Sequence, residues 1–155
     1  MKFAGGEERC RLLVVATGVW CNELFPELRI QRKQGVSFRL AGKLTRPFIK
    51  PWAPYKQVVA HQQSAGELWV GDGSAILEKN WDENRVKQCL TRCQKAVGVS
   101  QPPLKTLTGL RAYSPSGNDP CVLKKVGPRA WVATGAGKSG TIAAGWVANK
   151  LLSLQ

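Results

Sequence analysis

Two short apolar runs, one near each end of the chain, finish in the same way. Val14-Val15-Ala16-Thr17-Gly18 and Trp131-Val132-Ala133-Thr134-Gly135 share the pattern apolar-apolar-Ala-Thr-Gly. A continuous apolar run of this length, closed by glycine, reads as a strand buried on both faces, the type that parallel sheets use. Residues 11–18 and 130–135 are therefore expected as fully buried strands. Each ends where the backbone must come close to something, and glycine allows that approach because it has no side chain.

The rest of the 155 residues limits what surrounds those strands. Hydrophobic residues make up 43% and charged residues 21%, a globular composition that excludes a disordered tail, a collagen-like chain and a coiled coil. The longest apolar stretch, residues 12–16, is far short of the roughly 20 residues a membrane span needs. The first ten residues carry no apolar signal core, so the expected compartment is cytoplasmic. Five scattered cysteines make a poor disulfide framework and fit a reduced protein. Cys89 and Cys93 are spaced as on one helix face and read as core residues, and no zinc spacing is present. The net charge of +13 is unevenly placed: after Glu83 the only acid is Asp119, against eleven bases. Such a surplus attracts anions, so a basic anion- or nucleic-acid-binding module without catalysis is an alternative reading. No helix-turn-helix, RNP or zinc-finger pattern accompanies the charge.

Residues 35–40 alternate as a half-wet strand with Arg39 outward. Residues 48–56 read as a strand entering a packed layer. Residues 57–60 and 68–71 read as two more strands, joined by a polar turn over 62–66. A helix is expected over 82–97, capped by Asn80 or Asp82, ended by Gly98 and blocked from resuming by Pro102 and Pro103. Its inward face is Val86, Cys89, Leu90, Cys93 and Val97. A strand over 105–113, a turn over 115–120 and a helix over 140–152 complete the pattern.

The segment from Ala133 to Thr141 lies between a strand and a helix. Free backbone N–H groups at a helix start attract anions, and Lys138 adds a full charge. It is not a P-loop, because Val132 stands where the first glycine of that motif belongs. The second informative segment is Gly109-Leu110-Arg111-Ala112-Tyr113-Ser114-Pro115. An Arg there has the fork geometry to clamp a carboxylate, or it sits at a strand edge facing water.

These blocks, in this order, resemble the C-terminal half of the FAD-dependent amino-acid and amine oxidases, the D-amino-acid oxidase and glycine oxidase family. Residues 66–73 resemble a central strand of that family's substrate domain, and the likeness covers nearly the whole chain. It implies an α+β fold: a mixed, largely antiparallel substrate-domain sheet with a flanking helix, plus a C-terminal strand-turn-helix of an FAD-binding domain. It implies residues 1–20 as a strand of the FAD domain, 21–113 as the substrate domain and 114–155 as the return to the FAD domain. Arg111 and Tyr113 would meet the substrate, a small amine or amino acid. Gly18, Thr134, Gly135, Ala136, Gly137, Lys138, Ser139, Gly140 and Thr141 would face FAD. The reaction implied is hydride transfer from the substrate α-carbon to flavin, with no protein nucleophile and no role for His61 as a base. A helix N-terminus and Lys138 would stabilise the reduced anion. The Gly-x-Gly-x-x-Gly unit that opens the family is not in this sequence, and the acid after Arg111 is displaced to Asp119. A separate N-terminal FAD-domain chain, or self-association, is therefore expected to cover apolar surface around Val14, Val15, Val132 and Ala133.

Overall fold

The computed structural model describes residues 2–3, 5–7, 9–54, 56–116 and 121–153. Its strands run, in order, β1 Lys2–Phe3, β2 Gly6–Glu7, β3 Leu13–Val15, β4 Gln31–Ala41, β5 Phe48–Ala53, β6 Lys56–Ser64, β7 Glu67–Gly71, β8 Ala75–Leu77, β9 Lys105–Tyr113, β10 Val122–Gly127 and β11 Ala130–Thr134. The α-helices are α1 Cys21–Leu24, α2 Glu83–Val97 and α3 Gly140–Leu152. The chain forms two compact units. Unit 1 takes both chain ends, Met1–Arg32 and Arg111–Gln155; unit 2 is the continuous stretch Lys33–Leu110. Residues 21–32, which open the middle segment in the sequence reading, fall in unit 1. Cys21, Leu28 and Ile30 bury themselves there with Val132, which accounts for that placement.

Unit 2 is built on a six-stranded sheet of order β5-β6-β7-β4-β8, with β9 also paired to β4. Strand β4 pairs antiparallel with β7 and β8, and β6 pairs antiparallel with β5 and β7. Val36, Phe38 and Leu40 alternate inward along β4, as the pattern requires, and meet Val58, Ala60, Leu68 and Val70 from its neighbours. Helix α2 closes this core with Cys89 and Cys93, both buried and both unbridged. Of the two candidate caps it is Asp82 that accepts from the Arg85 N–H, at 2.9 Å. Gly98 ends the helix at φ +72, a conformation natural to glycine.

Two boundaries differ from expectation. Residues 48–56 form a hairpin rather than one strand: β5 stops at Ala53 and β6 starts at Lys56. Strand β6 then continues to Ser64, so the turn expected over 62–66 shrinks to Ala65-Gly66. The Gln62 side chain makes this possible, donating to the Glu67 carbonyl at 3.0 Å while accepting from the Leu44 N–H at 2.8 Å.

Unit 1 carries a three-stranded sheet of order β10-β11-β3. Strands β11 and β3 are parallel, with Trp131 opposite Val14 and Val132 opposite Val15. The parallel character was legible in the sequence, but the full burial was not. Only Leu13–Val15 is strand, it is an edge strand, and Val14 is 38% exposed, because β11 covers one side of it alone. Val132 is fully buried as expected. Helix α3 spans 140–152 as expected, yet buries only Ala143 and Leu151. The part of the 115–120 turn beyond Ser116, Asp119 included, lies outside the described residues.

Candidate substrate and cofactor site

The two Ala-Thr-Gly ends, separate in sequence, are neighbours in unit 1. Because β3 and β11 run parallel, both strands finish on the same side, and the Thr134 Oγ1–H donates to the Gly18 carbonyl at 3.0 Å. Gly18 has φ +62, and a Cβ placed there would meet nothing within 4 Å. Open space thus faces it.

Gly135 and Gly137 are different. They come close to the chain's own strand end rather than to open space. The Ser114 N–H donates to the Gly135 carbonyl at 3.0 Å, the Gly137 N–H donates to the Ala112 carbonyl at 2.7 Å, and Tyr113 bridges to Ala136. A Cβ on Gly137 would lie 2.6 Å from Tyr113 Cε1; on Gly135 it would lie 3.0 Å from the Ser114 nitrogen. Both glycines also sit at positive φ, +78 and +56. The glycine-rich turn is therefore laced onto the end of β9.

That lacing places Tyr113 against the turn. Arg111 is two residues earlier in the strand, hence on the same face. Its Nη1 is buried and meets no hydrogen-bond partner among the described residues. A buried guanidinium N–H without an acceptor is costly, and an anion resolves the cost. Past the turn, Lys138, Ser139, Gly140 and Thr141 are exposed. Ser139 starts α3 without a side-chain cap, and a Cβ on Gly140 would also meet open space. The first-turn N–H groups of α3 have no intrahelical acceptor and carry the positive end of the helix dipole.

Unit 2 holds a buried polar cluster that sequence reading passed over. Asp72 is fully buried. Its carboxylate accepts from the Ser74 N–H and Oγ–H at 2.9 and 3.0 Å and from Arg92 Nε at 2.8 Å, with Arg92 Nη2 at 2.7 Å. Burial pushes the Asp72 carboxyl up, but the Ser74 N–H, Arg92, the Cys89 thiol and the Ser74 hydroxyl together hold it below its ordinary value. Burial first, and then the Asp72 charge, push the Cys89 thiol up to about 11 and the Cys93 thiol up to about 12, so both are inert core thiols. The Asp-Gly-Ser spacing that lets Ser74 wrap Asp72 is a local turn signal. Nothing in the sequence marks Arg92 as the partner. His61, also in unit 2, stacks on Trp69 with ring centroids 5.1 Å apart.

The family described as FAD dependent oxidoreductase matches residues 2–154. The chain belongs to that family. Glycine oxidase from Bacillus cereus shares the fold with a TM-score of 0.66 at 15% identity, over 94% of this chain and 44% of its own. L-proline dehydrogenase from P. horikoshii gives 0.59 at 18%, over 88% and 40%. L-amino acid deaminase from Proteus vulgaris gives 0.61 at 16%, over 89% and 37%. The chain thus spans less than half the length of each of these oxidoreductases. No curated protein sequence matches it. The α+β class expected from the sequence is the fold of this family. Among the described residues no helix is long and apolar enough to cross a membrane.

Several residues of this oxidoreductase-family chain fit the cofactor that the family name implies. Gly18 and Gly140 present backbone to open space, and the start of α3 presents positive charge. Gly135 and Gly137 fit less directly, since Ser114 and Tyr113 occupy the space beside them.

Proposed function

We propose that this chain is the substrate- and flavin-facing part of an oxidoreductase that acts on an amino acid or another amine bearing a carboxylate. One observation carries the reading: the buried Nη1 of Arg111, without a hydrogen-bond partner among the described residues, on the same strand face as Tyr113, which meets the glycine-rich turn. A carboxylate supplies the acceptor that Nη1 lacks, and a guanidinium binds it through two parallel N–H bonds. Tyr113 forms one wall of that subsite. Gly18, Thr134 and the segment Gly135 to Thr141 line the cofactor side, with Thr134 fixing Gly18 and with Lys138 and the first turn of α3 offering positive charge. FAD, when bound, supplies the acceptor for the hydride leaving the substrate α-carbon. Arg111 fixes the carboxylate end of the substrate, which orients that carbon without forming a covalent bond to it.

The reading includes a partner. Unit 1 exposes Val14, Trp20, Leu24, Ile142, Trp146 and Leu152, large apolar side chains that a partner surface would bury. A dinucleotide-binding unit of the same family, supplied by another chain or another segment, covers it; self-association is the competing arrangement. A stable, monodisperse monomer with no affinity for such a unit counts against both.

The test begins with a visible absorption spectrum of the purified chain, before and after adding FAD and removing the excess. A retained flavin spectrum means these residues hold the cofactor unaided. A colourless, folded chain means that the completing unit is required. In the completed enzyme, Arg111→Ala raises KM for a carboxylate substrate by roughly 100-fold, the order of one lost charge-assisted pair. Arg111→Lys restores part of it, because the charge returns without the fork. An unchanged KM removes Arg111 from the site.

A further inference from the structure

Strand β5 turns the side chains of Phe48, Lys50 and Trp52 to the face that α2 covers. The register sets Phe48 opposite Ala60 and Lys50 opposite Val58, both core residues packed with Cys89 and Cys93. Phe48 and Trp52 join that core, and Lys50 lies between them on the strand. From the helix side, Arg92, Lys95 and Ala96 fall on one stripe. These residues, with Pro51 and Val58, line a cleft of about 280 Å³ within unit 2.

Lys50, Arg92 and Lys95 thus line one cleft, and the Lys56 ammonium lies over the Trp52 ring at 5.2 Å. The Arg92 guanidinium is held rigidly, tied to Asp72 through Nε and Nη2 and to the Cys89 sulfur at 3.2 Å, and it stacks over the Trp52 ring at 4.3 Å. Trp52 is fixed in turn, its Nε1–H donating to the Asp72 carbonyl at 3.2 Å. Asp72 neutralises Arg92 alone. Among the described residues no carboxylate pairs with Lys50 or Lys95. Lys50 and Lys95 together match the charge of a dianion, and the small Ala96 leaves room for it.

We infer that this cleft is a binding site for a phosphate dianion, free or as the monoester of a small organic molecule. Lys50 and Lys95 close on the phosphate from the strand and the helix. The fixed Arg92–Trp52 pair forms a wall, and Val58 with Ala96 gives an apolar floor for an ester's organic part. The site lies in unit 2 and uses none of the residues assigned to substrate or flavin.

The experiment titrates the full chain with inorganic phosphate, and separately with glycerol 3-phosphate, to about 10 mM at constant ionic strength. Calorimetry gives Kd, and the Trp52 indole N–H resonance reports the location. Lys50→Ala/Lys95→Ala, both exposed positions, is expected to weaken binding about tenfold and to abolish the indole shift. Lys124→Ala/Lys125→Ala removes the same charge elsewhere and is expected to leave Kd within about twofold. Tighter binding of the ester than of the free ion assigns the site to organic phosphates; the reverse order assigns it to inorganic phosphate. Equal weakening by the two double variants means diffuse attraction to a basic protein and overturns the proposal. So does the absence of saturable binding, or saturation without an indole shift.

Discussion

Asp72 holds together parts of unit 2 that are distant in sequence, and its chemistry sets an acid limit on stability. Its carboxyl ionises more readily in the folded chain than at the ordinary value of 3.8. A depressed folded value stabilises the protein above the unfolded value, and this contribution is lost as pH falls through the folded one. Asp72→Asn keeps the shape but leaves Arg92 without its counter-charge, at an expected loss of about 2–3 kcal/mol at neutral pH. Urea unfolding at several pH values checks this: the gap between wild type and variant is widest near neutrality and closes as pH falls below 3.8. A gap that does not narrow in acid shows that the carboxylate charge is not what stabilises the cluster. At this scale the sequence was half legible. Cys89 and Cys93 announced themselves as core by their spacing, since helical periodicity is local. The Asp72–Arg92 pair did not, because it depends on a helix folding back over a strand end.

Among the elements, the glycine-rich turn separates two reasons for a glycine. Gly137 is required by the chain itself, being left-handed and pressed against Tyr113. Gly137→Ala should cost about 2 kcal/mol, and Tyr113→Ala in the same chain should recover the steric part. Gly140 faces open space at the start of α3, so Gly140→Ala should be neutral or stabilising by up to about 1 kcal/mol. Shifts in the urea midpoint measure both; equal destabilisation by the two substitutions contradicts the close approach of Tyr113. The extent of α2 and its cap could be read from sequence because Asp82, the apolar stripe and Gly98 are contiguous signals. So could that of α3. The edge position of β3 could not, since an apolar run looks the same whether a neighbour covers one side or both. The lacing of Gly135 and Gly137 to β9 was equally hidden, because glycine marks a close approach without naming what approaches.

For the molecule as a whole, two separate cores imply two separable stabilities. Val132 anchors the core of unit 1, and Leu40 lies at the centre of that of unit 2. Val132→Ala and Leu40→Ala should each cost about 2–3 kcal/mol, each lowering protection from amide hydrogen exchange in its own unit. If either substitution lowers protection uniformly across the chain, the two units unfold as one. The order of segments also matters during synthesis. Strand β3 is translated before unit 2, and its partner β11 after it. At roughly 5–20 residues per second, the nascent chain keeps Leu13, Val14 and Val15 without their β11 partner for several seconds while unit 2 is translated. An apolar strand waiting that long for its neighbour is a natural target for a ribosome-associated chaperone.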